Sequence, residues 1–105
     1  GHMKKNLSNT LFILIRLSCL NKDNEESIAT IDLGLIDIGN QTNLKDYLTK
    51  YCDKKEFHSL VWNIVDRYYK PREVYISFVK PEASKVGIII PSQISLFEIK
   101  FKTYE

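Results

Sequence analysis

The stretch that decides the fold covers residues 43–85, NLKDYLTKYCDKKEFHSLVWNIVDRYYKPREVYISFVKPEASK. Its first half has apolar residues at helical spacing in two consecutive segments, residues 44–52 and residues 54–69. Asn43 is placed to cap the first helix. Asp53 is predicted to cap the second, because a glutamate follows it three residues later, as in a capping box. The sequence therefore predicts two amphipathic helices joined by a short turn.

The second half changes to the two-residue period of β-strands after Pro71, which disfavours helical geometry at the preceding residue. Alternating apolar residues predict a strand over residues 74–79, and residues 86–90 are predicted to pair with it as a hairpin. Residues 80–85 would form the hairpin tip. Residues 91–92 are expected to end the second strand, and residues 94–102 to form a further strand at the edge of the sheet.

The segment before this stretch allows two interpretations. Residues 7–20 place leucines on one face if helical, but Leu11, Ile13, Ile15 and Leu17 also alternate as in a strand, and periodicity does not decide between them. Residues 27–38 are predicted to be a strand with one buried and one exposed face. The fold class is α+β in either case. As a helix, residues 7–20 would add a third helix, and as a strand they would pair with residues 27–38 in a hairpin.

Length and charge set further bounds. Residues 1–3 look like a tag remnant, and residues 4–105 are long enough for a single domain with one modest core. The formal net charge is only +2. Residues 21–40 carry one lysine against five acidic residues, whereas residues 41–85 carry nine basic residues against six acidic ones. The positive charge is thus concentrated on the predicted helices and hairpin, which favours a polyanionic partner there.

Enzyme and metal chemistry are poorly represented. His58 is the only histidine outside the tag remnant, and the chain has no P-loop, no dinucleotide-binding glycine motif and no Cys/His spacing suited to zinc. We therefore expect a protein without catalytic activity, cofactor or metal. Cys19 and Cys52 lie in apolar segments without a disulfide pattern, which favours a reduced, cytoplasmic setting. The apolar run near residue 13 is far shorter than the ~20 residues of a membrane span.

The order of two helices and a hairpin points to DNA binding. In a helix-turn-helix, polar residues of the second helix face base edges, and basic residues nearby hold phosphates. The same residue types also occur on any exposed helix face, so the assignment depends on the element order. The candidate DNA-contacting residues are Lys54, Lys55, His58, Ser59, Asn63, Arg67, Lys70, Arg72, Lys80, Ser84 and Lys85.

The element order resembles that of winged helix-turn-helix proteins, with residues 7–20 as first helix, residues 27–38 as first strand and residues 94–102 as an additional C-terminal strand. The composition, rich in Lys, Asn and Ile, is similar to the TcpK-type relaxosome accessory proteins of clostridial conjugative plasmids. That resemblance implies a non-enzymatic homodimer that binds double-stranded DNA at an origin of transfer, with a relaxase or other transfer proteins as partners.

A second interpretation treats the two N-terminal segments as a hairpin. The fold would then be a five-stranded antiparallel sheet backed by two helices. Such a domain would suit a protein-interaction module, for example an immunity or inhibitor protein of a mobile element. In either interpretation residues 94–102 form an amphipathic edge strand that a second copy could pair with.

Overall fold

Strand β1 (Thr10–Leu20) lies inside a four-stranded antiparallel sheet in the computed structural model, which describes residues 9–101. The sheet has the order β2-β1-β3-β4, with β2 at Glu26–Asp37, β3 at Val74–Ala83 and β4 at Ile89–Lys100. Helices α1 (Leu44–Cys52) and α2 (Lys55–Val65) connect β2 to β3. The α+β class is confirmed.

Residues 10–20 form a strand, so the helix expected there in a winged helix-turn-helix is wrong, and residues 7–8 lie outside the described residues. Residues 10–20 form a strand because the segment is apolar on both faces. Leu11, Ile13 and Ile15 point into the core beside the helices, and Phe12 and Leu14 are buried on the opposite face. A central strand can bury both rows while β2 and β3 satisfy its backbone.

Strand β2 contains a β-bulge that reverses part of its predicted pattern. The register to β1 shifts between the pairs Phe12–Leu35 and Leu14–Asp32, and Gly34 lies in the extra step with φ +93. Leu33 therefore packs against the main core, whereas Leu35 packs on the opposite face of the sheet. One extra residue is enough to exchange faces, because side chains alternate with a period of two.

Helix α1 matches its predicted limits, and the side chain of Asn43 caps it by accepting the N–H of Asp46 at 3.1 Å. The predicted cap of α2 is wrong. Lys54 occupies the N-cap position, and no side chain of residues 9–101 caps the helix there. Asp53 instead serves as the C-cap of α1, where its N–H donates to the last carbonyls of that helix. The turn between the helices is too short for Asp53 to serve both ends.

Helix α2 ends at Val65, four residues before the predicted end. The chain continues through two tighter turns, in which Arg67 and Tyr68 donate to Ile64 and Val65 respectively. The carbonyl of Tyr69 then accepts the N–H of Leu20 at 3.0 Å. This tertiary hydrogen bond draws the chain back onto β1 before Pro71 could end the helix.

The C-terminal half of the sheet has one strand where two were predicted. Strand β4 continues through Pro91 and Ser92, so the sheet has four strands among the described residues instead of five. Pro91 lies opposite Pro81 of β3, and neither residue has an N–H to donate to the ladder. The register shifts on both sides of Val79, with the extra residues in β4, so the strand bulges instead of ending.

The helices cover one face of the sheet and define the main core. Fully buried residues of α1 and α2 (Leu48, Val61 and Val65) meet the inward rows of β1 and β3. The other face has a small second cluster of Phe12 and Val79 with Leu14, joined by partly buried residues of β2 and β4. The two cysteines, Cys19 and Cys52, are both free and buried in the main core.

Candidate nucleic-acid interface

The predicted recognition residues begin at the N-terminal end of α2. Burial of Phe57, Val61 and Val65 fixes the rotation of this helix, and that rotation leaves Lys55, Ser59 and Asn63 exposed. These three residues therefore occupy the outward face, as the prediction required. The same face also carries Glu56 and Asp66, both exposed, whose negative charge would repel phosphate.

His58 and Lys54 are held by aromatic neighbours. The His58 imidazole stacks on the Phe101 ring at 4.7 Å, and His58 is half-buried. The Lys54 ammonium lies 5.1 Å from the centre of the Tyr51 ring. The geometry gives His58 a packing role, and it gives Lys54 an intramolecular partner that a phosphate would have to displace.

The basic residues after α2 differ in how available they are. Arg72 donates from Nη1 to Glu26 Oε1 at 3.1 Å, and its backbone N–H donates to the Ser18 carbonyl. It therefore links the segment just before β3 to both β1 and β2. Lys70 has φ +49 and lies over the Tyr69 ring at 5.2 Å. Arg67 is exposed at the end of α2.

The predicted hairpin tip lies further along the chain than expected. Strand β3 continues through residues 80–83, and the turn itself is formed by residues 84–87. Ser84 closes that turn: its hydroxyl accepts the Ile88 N–H, and its own N–H donates to the Ile88 carbonyl at 2.8 Å. Ser84 therefore shapes the turn, whereas Lys80, on β3, and Lys85, within the turn, are both exposed.

We use the name distal hairpin for residues 80–94, the part of β3 and β4 beyond the last β1 pair. The pairing of β1 with β3 ends at Phe12–Val79, and within residues 9–101 the later residues of β3 pair only with β4. By strand alternation Lys80 belongs to the face of the sheet that carries the helices, together with Ile76 and Phe78. Ile89, which pairs with Ala83 beside the turn, packs on the second cluster, so the distal hairpin contacts the uncovered face of the sheet.

The two groups of predicted site residues lie at opposite ends of β3. His58 contacts Phe101, whose N–H donates to Val74 at the beginning of β3, whereas Lys85 follows the end of that strand. At roughly 3.3 Å per residue, the length of β3 separates the groups by about 30 Å. They form two basic patches and not a single one.

Six of the predicted cations have no described carboxylate within ion-pair distance in residues 9–101, and two of these, Lys54 and Lys70, lie over tyrosine rings. We call the other four unpaired. Two lie at α2 and two on the distal hairpin. These four are Lys55, Arg67, Lys80 and Lys85.

The uncovered face of the sheet holds a polar cluster that sequence reasoning missed. Tyr75 donates its hydroxyl to Glu73 at 3.0 Å, which lowers the pKa of Glu73 and raises that of Tyr75. The Lys100 ammonium, 3.4 Å from the same carboxylate, adds to the lowering. Arg16 reaches across β3 to Glu98 at 2.9 Å. These charges neutralise one another and protect the β4 edge. Strand register brings Arg16 to Glu98 and Lys100 to Glu73, so only the Glu73–Tyr75 pair is local in sequence.

A second missed feature is the exposed aliphatic surface of the distal hairpin and the adjoining part of β4. The side chains of Val86 and Ile94 are 78% and 80% exposed. The sequence does carry a signal here, because residues 86–90 have no polar alternation while the strand is at an edge. The exposed aliphatic residues are Val86, Ile88, Ile90, Ile94 and Leu96.

Comparison of the chain with protein-family models, with curated proteins and with solved structures found no match. Within residues 9–101, no three histidine, cysteine or acidic side chains come together in a way that could hold a metal ion. No helix in that part of the chain has the length and apolar character needed to cross a bilayer.

Proposed function

We propose that the protein is a non-enzymatic, double-stranded DNA-binding protein of the cytoplasm, in which α2 and the distal hairpin contact the duplex. The observation that carries this proposal is the position of the unpaired cations. Lys80 and Lys85 are exposed on a hairpin that, within residues 9–101, extends beyond the last pair of β3 with β1, and Lys55 and Arg67 flank the exposed face of α2. Cations that lack an internal partner are free to neutralise phosphates.

In this proposal α1 and α2 act as the helix-turn-helix, and β3 with β4 acts as the wing. Helix α2 begins three residues after the end of α1, as a compact helical pair requires. Strand β1 stands where a winged helix has its first helix, so the proposed domain is a variant in which a strand completes the sheet.

The spacing of the two basic patches supports a single DNA partner. Their separation of about 30 Å is close to the ~34 Å of one turn of B-form DNA. Strand alternation places Lys80 on the helix-bearing face of the sheet, the same side as Lys55 and Arg67. A duplex lying along that side could meet the helix and the hairpin one turn apart.

We further propose that two copies associate through the edge of β4 that no other strand of residues 9–101 covers. The N–H of Phe101 donates to β3, so the neighbouring backbone groups of Lys100 and Glu98 point toward the free edge by alternation. The exposed Ile94 and Leu96 would be covered in such a dimer. A dimer suits repeated DNA sites, such as those of a plasmid origin of transfer, where a relaxase or other transfer proteins would be the partners.

Fluorescence anisotropy with a labelled A·T-rich duplex tests the DNA proposal. We expect binding at low salt that weakens steeply as salt rises, and a loss of affinity in Lys80→Ala/Lys85→Ala. The control variant is Lys22→Ala/Lys50→Ala, which removes the same charge from a loop and from an internal ion pair. No binding at low salt, or equal losses in both variants, would contradict the proposal.

The exposed aliphatic surface favours one alternative, a protein-interaction module such as an immunity or inhibitor protein of a mobile element. An edge strand with aliphatic side chains can add a strand from a partner. Capture of one specific protein from the native host, lost in Ile90→Lys and Ile94→Lys, together with absent DNA binding, would establish this alternative.

A further inference from the structure

We infer that the tip of the distal hairpin is a wedge that enters the minor groove and inserts Val86 or Ile88 between adjacent base pairs, so that the bound duplex bends. This inference rests on the proposed DNA-binding function and adds the mode of contact. It concerns the four-residue turn and the first residue after it, not the edge of β4.

The tip is built to hold its side chains in one arrangement. Gly87 donates its N–H to the Ser84 carbonyl at 3.0 Å and takes φ +83, a conformation that glycine adopts without strain. Two more hydrogen bonds join Ser84 to Ile88 on the far side of the turn. A turn closed by three hydrogen bonds loses little freedom on binding, which is what an inserting group requires.

The side chains at the tip suit insertion better than hydrogen-bonded readout of bases. Val86 is 78% exposed and Ile88 is 60% exposed, and Gly87 between them has no side chain. Direct readout in the major groove relies on Arg, Lys, Asn, Gln or Ser side chains, and residues 84–88 offer only Lys85 and Ser84, whose hydroxyl is already used to close the turn. Minor-groove proteins, in contrast, use aliphatic side chains to unstack a base step and kink the duplex.

The charges beside the tip complement the phosphates that border a minor groove. Lys85 immediately precedes Val86, and Lys80 lies lower on β3; both are exposed and unpaired within the described residues. One acid, Glu82, lies between them along the strand. Attraction between these two lysines and the phosphates would offset part of the free energy that unstacking a base step costs.

The test measures bending and unstacking separately from binding. A duplex of about 30 base pairs, rich in T-A steps and labelled at both ends, reports bending by energy transfer, and permanganate reports unstacked thymines. The wild type should raise energy transfer and expose thymines at a discrete step. Val86→Ser/Ile88→Ser should still bind, with affinity lowered by about tenfold or less, but should lose both signals. The control Ile28→Ser, an equally exposed position on β2, should keep them.

The possible outcomes distinguish failure of the wedge from failure of the proposed DNA-binding function. Binding by the wild type without bending or thymine exposure overturns the wedge and leaves the proposed function intact. Retention of both signals in Val86→Ser/Ile88→Ser also overturns it, as does a change of oligomeric state in that variant, which would make the tip a protein contact. Absence of any binding at low salt overturns the proposed function and the wedge together.

Discussion

The imidazole of His58 lies nearly parallel to the Phe101 ring, with centroids 4.7 Å apart and planes inclined by 21°. Phe57 and Trp62 approach the same ring at 5.9 Å and 6.1 Å. Three residues of α2 thus pack around the residue that follows β4. This contact fixes the orientation of α2, and of its exposed face, relative to the sheet.

This contact predicts that His58→Ala destabilises the fold by about 1 kcal/mol, while Phe101→Ala costs about 3–5 kcal/mol. Denaturant unfolding measures both changes, and Ser59→Ala, an exposed neighbour, should stay within about 0.5 kcal/mol of the wild type. DNA affinity of folded His58→Ala should be nearly unchanged. A tenfold loss of affinity without loss of stability would instead make His58 a DNA contact.

The bulge in β2 predicts a position-specific cost at Gly34. A Cβ there would meet no atom of the described residues within 4 Å, so the cost of Gly34→Ala arises from the φ of +93 and not from crowding. We expect a loss of about 1–3 kcal/mol in the free energy of unfolding. Gly34→Asn should cost less, because asparagine tolerates positive φ better. Equal stability of Gly34→Ala and the wild type would show that the bulge can relax.

The thiol of Cys52 predicts an alkaline loss of stability. Burial raises its pKa to about 12 from an ordinary 9.0, and the neighbouring Asp53 carboxylate adds to the rise. The unfolded chain therefore releases this proton at lower pH than the folded chain does. The contribution is complete below pH 9.0 and declines as pH rises toward about 12. Thermal unfolding of Cys52→Val should show a smaller decline over this range than the wild type, and an identical decline would contradict the assignment.

The two basic patches predict separable contributions to the salt dependence of DNA binding. Lys55→Ala/Arg67→Ala and Lys80→Ala/Lys85→Ala should each reduce the slope of log affinity against log salt by about 2, if each residue neutralises one phosphate. Lys54→Ala should reduce this slope by less than about 1, because the Lys54 ammonium lies over the Tyr51 ring. A reduction in one double variant alone would restrict the interface to that patch.

The aliphatic edge predicts a dimer that one charge can disrupt. Ile94→Lys, at a position 80% exposed in the isolated chain, should convert a dimer to a monomer in sedimentation velocity, because a charge cannot be buried unpaired in the interface. Ile28→Lys on the opposite edge of the sheet should leave the dimer unchanged. A monomeric wild type at high concentration would refute association through β4.

The elements that follow local rules were predictable. Helix α1 and its Asn43 cap need only helical spacing and one side chain, and β2 and β3 begin close to where alternation places them. The candidate site was predictable only as a set of exposed cations. Which of them are free depended on partners distant in sequence, such as Glu26 for Arg72.

The sequence by itself determined two amphipathic helices followed by a hairpin, because the hydrophobic period is a local property, as is the Asn43 cap of α1. Tertiary structure decided that residues 10–20 are a strand, because only pairing with both neighbours lets that segment bury its two apolar faces. It also carried β4 through Pro91, because an edge strand with a proline opposite loses no ladder hydrogen bond there. Because β4 continues through Pro91, it pairs with β3 to form the distal hairpin with its unpaired lysines and exposed aliphatic tip. No local sequence pattern predicts this continuation.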